Sequence, residues 1–331
     1  MDASNGRFVI SLDLELLWGV RDVSSIETYG DHLRGVHTVI PKLLALFRKH
    51  HIKATFATVG LLFFSTKKEL LDNLPEKKPA YSRPDLSPYT TELELLGESS
   101  ETDPYHFAPN LVELIKAHPE QEIGTHTFSH YYCLEDGQTI EDFHEDLRSA
   151  LRVAAEKNIS IKSIVFPRNQ FNNDYLKICE QCGITCVRGN EVSWIYEARS
   201  HKEEKIIHRL SRLSDAYLNI SGRHCYTDEY MAADYPYNIP SSRFLRPYDK
   251  RVKWLEWLRL QRVKNCMTYA ARKNLTYHIW WHPHNFGTNQ DKNLAFLEKI
   301  LLHYEYLNRR YNFTTYTMAE VAEQLDTKYG R

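Results

Sequence analysis

Seven short β-branched or apolar runs, most of them followed by a segment with helical spacing, constrain this chain's fold more than any other feature. Residues 7–12 (RFVISL), 53–59 (KATFATV), the run up to Gly124, 163–166 (SIVF), 184–187, 277–281 and 314–316 predict strands. Helical spacing marks 36–50, where Val39, Leu43, Leu44, Leu46 and Phe47 share a face, and also 110–117, 139–157, 174–181, 254–273 and 293–309. A further helix opens at 60–64, and another follows 316. Strands separated by helices must run parallel, because the chain crosses back before pairing again. The order predicts an α/β fold, a distorted (β/α)7 barrel within a single domain spanning 1–331. No internal repeat interrupts it.

Two stretches break the rhythm and predict loop insertions. Residues 76–108 carry prolines, serines and charges with little periodicity, and belong beside the active face. Residues 188–250 are mixed, with a helix expected at 205–218 and then a tyrosine- and proline-rich loop, so the second insertion lies near 195–250. A formal net charge of −1 gives no pull toward nucleic acid or an anionic membrane. The first twenty residues place acids within their apolar run, unlike a signal peptide or a membrane span, so the expected compartment is the cytoplasm. Cys179, Cys182 and Cys186 have no fourth ligand at matching spacing and read as inert thiols, with Gly183 capping a helix between them. Oligomeric state is left open.

The chemistry-bearing residues gather at strand tips, where α/β folds bind ligands. His126 and His130 are four apart, a spacing that lets two imidazoles meet one divalent metal. Asp13 and Glu15 are two apart at the end of the first strand and point to one side. One acid suits a metal ligand and the other a general base, and the two roles are exchangeable at this level. His282 ends another strand, with His284 and Asn285 just beyond. Each group alone has a plain structural reading, but three such tips in one barrel point to a catalytic site. Arg243 and Arg246, three apart, suit a phosphate or carboxylate on a substrate.

With these residues in order, the chain resembles the polysaccharide deacetylases of the NodB-homology type, carbohydrate esterase family 4. His126-Thr127-Phe128-Ser129-His130 matches the H-[ST]-x-x-H motif in full, and the resemblance implies that both histidines ligate metal. Asp13-Leu14-Glu15 is similar to the D-x-D variant of the first motif, which implies Asp13 as base and Glu15 as ligand. Ile279-Trp280-Trp281-His282 is similar to the fifth motif and implies His282 as general acid. The third motif, R-x-P-x-G, keeps only Pro167, with Val165 where its arginine belongs; Arg168 is the expected substitute, with Asn169 beside it on the substrate. The fourth survives as Asn190-Glu191-Val192-Ser193-Trp194, which implies Trp194 as a substrate contact.

The resemblance implies hydrolysis of an N-acyl (acetyl or formyl) amino sugar, carried on a nucleotide or a lipid during surface polysaccharide biosynthesis. One divalent ion is implied, zinc first, with cobalt, nickel or iron compatible with the same ligands. Arg168, Asn169, Trp194, Arg243, Arg246, His284 and Asn285 form the expected substrate-binding set. Two other readings stand beside this one: hydrolysis of a non-sugar amide, as in an allantoinase, and sugar binding without catalysis.

Overall fold

The computed structural model describes residues 5–90, 92–193 and 214–330. Among the described residues, nine strands, all pairing in parallel, form one sheet in the order β6-β5-β4-β3-β2-β1-β8-β7, with β9 against β1. They are β1 Arg7–Leu14, β2 Thr55–Thr58, β3 Glu122–Thr125, β4 Ser163–Ile164, β5 Cys186–Val187, β6 Tyr237–Asn238, β7 Arg243–Phe244, β8 Thr276–Trp281 and β9 Thr314–Tyr316. β8 pairs with residues 7–12 of β1, while β2 takes 11–14 and β9 takes 7–9. A strand has two edges, so β2 and β9 share the second, one above the other.

Barrel closure comes from a single extended stretch, residues 237–244. Its first half pairs with β5 and its second half with β8. Between them Ile239 N donates to Val187 O, Ser241 N to Gly189 O and Ser242 N to His278 O. This stretch therefore joins both ends of the sheet and acts as one wall position of a seven-position barrel. Part of the region expected to be insertion is thus barrel wall. The helix expected at 205–218 lies mostly outside the described residues.

Alternation along the strands sorts the side chains. Phe8, Ile10, Leu12 and Leu14 of β1, with Tyr277, Ile279 and Trp281 of β8, join the outer core under the helices. Val9, Ala57, Val165, Cys186, Tyr237 and Ile239 fill the floor of the barrel, which Met318, Val321, Ala322 and Leu325 of the last helix plug. Above that floor the interior turns polar. Ser11 and Asp13 follow Val9 on β1, and Trp280 and His282 follow His278 along and past β8. Strand parity thus delivers the polar ladder to the C-terminal mouth.

The first helix runs Ile26–Lys49, ten residues longer at its start than its apolar spacing predicts. A Ser25–Thr28 capping box begins it. Gly35, inside this helix, serves packing: a Cβ on it would lie 2.0 Å from the carbonyl oxygen of Gly287. That close backbone approach sets the helix against the turn carrying His284. The helix expected after 60 is a 3-10 turn, Gly60–Phe63, followed by Lys67–Asp72. The insertion at 76–108 lies over the mouth, where Tyr132 N donates to Tyr81 Oη at 2.8 Å and Trp18 Nε1 to His106 O at 2.9 Å. Cys179 and Cys186 are buried and all six cysteines are free. No helix among the described residues is long and apolar enough to cross a membrane.

Candidate metal centre and active site

At the mouth, the two oxygens of Glu15 divide four imidazoles between them. Oε2 lies 3.2 Å from His126 Nε2 and 3.1 Å from His130 Nε2. Oε1 lies 3.0 Å from His284 Nε2 and 3.6 Å from His282 Nε2. Two ligand atoms each about 2.1 Å from one tetrahedral metal stand roughly 3.4 Å apart, so the first group fits a shared ion. His126 Nδ1 donates to Val165 O at 2.8 Å, which leaves its Nε2 lone pair aimed inward. Among the described residues, two sets could hold a metal, Glu15 with His126 and His130, and Glu15 with His282 and His284.

The histidine loop is held in a shape few side chains adopt freely. Thr127 and His130 have φ of 64° and 58°, and Leu16, Arg168 and Asn169 around the same mouth are also left-handed. Asp146, from the helix Ile140–Glu156, takes the strain by accepting from Phe128 N at 2.7 Å, Ser129 N at 3.2 Å and the Ser129 hydroxyl. Burial drives His130 down to about 4, against the pull of Glu15, and lowers His284 as well. Both imidazoles are therefore neutral near pH 7, the form a metal requires. Burial would raise Glu15, but His282 and the close contacts with the other three imidazoles hold it well below the usual range.

Asp13 sits one layer deeper, gripped by an arginine the motifs did not identify. Arg188, just past β5, donates to both its oxygens, at 2.6 and 2.7 Å. The same guanidinium reaches Ser11 Oγ and Asn169 Oδ1 and lies 4.1 Å from the Trp280 ring centroid. Burial would raise Asp13, yet this pair keeps it below its ordinary value. Across the mouth His282 Nε2 is 3.7 Å from Asp13 Oδ2, and its Nδ1 donates to Asn285 Oδ1 at 3.2 Å. With 24% of its side chain exposed, against 2% and 4% for the two acids, His282 is the group that faces the opening. Phe244 and Trp280 flank it.

Other expected site residues fall elsewhere. Arg168, the expected stand-in for the missing motif arginine, is turned by its left-handed backbone onto Asp22 and Glu135 and over the Tyr132 ring. Arg188 makes the carboxylate contact instead. Arg243 pairs in register with Ile279, on the outer side of the sheet, where it meets buried Asp215 together with Arg262. Parity thus carries it away from the mouth. Arg246 is half-buried beyond β7, its carbonyl accepting from Arg259. Trp194 lies outside the described residues. Asn169 and Asn285 reach the site through Arg188 and His282, and His284 through Glu15.

A parallel β/α barrel with a carboxylate–imidazole cluster at its C-terminal mouth defines a class of hydrolase scaffolds. The polysaccharide deacetylase family model matches residues 28–187 of the chain. The matched stretch contains His126 and His130 but leaves Asp13, Glu15, Arg188 and His282 outside. No curated protein matches the sequence. Among solved structures, a Mycobacterium smegmatis protein assigned as a polysaccharide deacetylase is 12% identical with a TM-score of 0.61, covering 99% of this chain and 93% of its own. A Pseudomonas aeruginosa PAO1 protein of the same assignment is 10% identical, TM-score 0.57, covering 98% and 92%. Puue allantoinase is 9% identical, TM-score 0.56, covering 98% and 91%. At such identities the likeness is one of fold.

Proposed function

We propose that this chain is a metal-dependent hydrolase that removes an acetyl or formyl group from the nitrogen of an amino sugar, carried on a nucleotide or lipid intermediate of surface polysaccharide synthesis. The observation that carries the reading is the adjacency of the Glu15–His126–His130 cluster to an Asp13–His282 pair across one opening. Glu15, His126 and His130 would hold one divalent ion, with zinc the first choice for two imidazoles and a carboxylate. When bound, such an ion polarises an acyl carbonyl and makes water more acidic.

Within this reading, Asp13 is the base that takes the proton of the attacking water. Arg188 fixes both its oxygens and lowers its proton affinity, so Asp13 gains orientation and loses basicity. It therefore acts on a water whose own acidity is raised. His282 protonates the departing amine: Asn285 fixes its Nδ1–H, and its Nε2 is turned to the acids with access to the opening. Phe244 and Trp280 give a sugar ring an apolar wall next to that acid.

The test is a mass-spectrometric screen of the metal-loaded protein against N-acetyl and N-formyl sugars, free, nucleotide-linked and lipid-linked, with ureides alongside. The expected product is a free amine on a linked sugar, lost on chelation. Turnover of ureides alone would move the assignment to a non-sugar amide hydrolase. Sugar binding with no turnover by any metal-loaded form would sink the enzymatic reading.

A further inference from the structure

Glu15 is a flexible ligand, with one more methylene than aspartate and correspondingly more rotamer freedom to lose. The structure constrains it from three sides. The carboxylate folds back over Gly19, where a Cβ would fall 2.0 Å from Glu15 Cδ, so only glycine leaves that space open. Its Oε2 faces His126 and His130. Its Oε1 faces His284 Nε2 at 3.0 Å, and His284 is buried.

The partners of His284 fix its tautomer. Asn285 accepts from His282 Nδ1 through Oδ1, so its amide nitrogen points the other way, 3.5 Å from Tyr29 Oη and 3.4 Å from His284 Nδ1. Tyr29 Oη accepts from Asn285 and donates to His284 Nδ1 at 2.9 Å. His284 Nδ1 is therefore an acceptor, and its proton sits on Nε2, directed at Glu15. An imidazole in that state donates a hydrogen bond and leaves no lone pair for an ion. Tyr29 itself is stacked on His32 at 4.3 Å, and His32 Nδ1 bonds His284 O at 3.2 Å.

We propose that His284, oriented by Tyr29 and Asn285, is a positioning residue that holds Oε1 of Glu15 so that Oε2 is presented to the metal with His126 and His130. It rests on the reading of Glu15 as a metal ligand. Asn285 ties this grip to the acid His282, so ligand and acid are oriented by one side chain.

The experiment measures stoichiometry and affinity for zinc by competition with a chelating dye, on wild type, His284→Ala, His284→Gln and Tyr29→Phe, with apoprotein melting followed in each. Wild type is expected to bind one ion. His284→Ala is expected to bind one ion about 10–100-fold more weakly, the range for loss of a group that orients a ligand. His284→Gln, whose amide N–H still donates to Oε1, recovers most of the affinity, and Tyr29→Phe shows a smaller loss. This rescue at matched melting separates positioning from general packing. Equal affinity in wild type and His284→Ala overturns the proposal and leaves the metal site intact. Two ions in wild type and one in His284→Ala overturn it differently, by making His284 a ligand. Wild type that binds no zinc removes the ligand reading of Glu15, and this inference with it.

Discussion

The two ends of the barrel both bury charge, and they treat it in opposite ways. At the closed end Arg7 donates to Asp228 and Gln324, and Lys328 adds a bond to Asp228 at 2.9 Å. Glu122 there accepts from the Thr55 and Ser163 hydroxyls at 2.6 Å and from Ala319 N. Each of these carboxylates faces ordinary donors, and the last helix seals the set. At the mouth Glu15 is ringed by four imidazole Nε2 atoms, and His130 Nδ1 is buried without a hydrogen-bond partner among the described residues. Charge that closes on itself stabilises a fold. Charge that converges on a point is arranged for something brought to it.

The contrast breaks down if mouth variants lose stability in proportion to function. Glu15→Ala should give the largest effect: metal lost on dialysis and activity at background, with apoprotein melting changed far less. Next, Asp13→Asn should keep its metal and lower kcat by about 10²–10⁴-fold, the usual contribution of a positioned base. Metal lost from Asp13→Asn but kept by Glu15→Ala would exchange the two roles.

The closed end should answer in the reverse sense. Asp228→Ala leaves the Arg7 guanidinium buried without its carboxylate and should cost about 3–5 kcal/mol in denaturant unfolding. Activity per folded molecule should hold. The smallest effect sharpens the boundary between the two regions. Burial raises Asp146 to about 7, above its unfolded value near 3.8, despite the bonds it accepts from the histidine loop. An acid whose folded value is raised stays protonated in the native state while the unfolded chain has already ionised. Its stabilising contribution is thus full below about pH 4 and is lost as pH rises toward 7. Asp146→Asn should flatten the stability–pH curve over that window, and an unchanged slope would show that Asp146 is ionised in the fold.

How much of this was legible depended on range. The acids at 13 and 15, the histidines at 126 and 130 and the histidine at 282 stand out because each group is local to one strand tip. Arg188 did not, because its partner is 175 residues away and its own strand has only two residues. Arg168 drew notice as the nearest arginine to a broken motif, but a left-handed backbone turns it onto Asp22 and Glu135. Arg243 was excluded by strand register, which a two-residue strand hides. The barrel was legible from its strand–helix alternation, whereas the closing stretch 237–244 was not, since it lacks a crossover helix between its two halves. The early start of the first helix was hidden in part by Gly35, a poor helix former whose role is contact with a distant turn.

The placement of β1 governs how the protein comes into being. Its neighbours on one edge are β2 and β9, and on the other β8, so β1 waits for residues 276–316 to be made before it gains its full set of partners. Until then Asp13 and Glu15 lack the histidines at 282 and 284. A nascent chain of the first two hundred residues therefore displays an unfinished sheet edge of apolar side chains, the condition that recruits chaperones. Glu15, His126 and His130 are already present in such a chain, so His282, His284 and Asn285 are the mouth residues that arrive last.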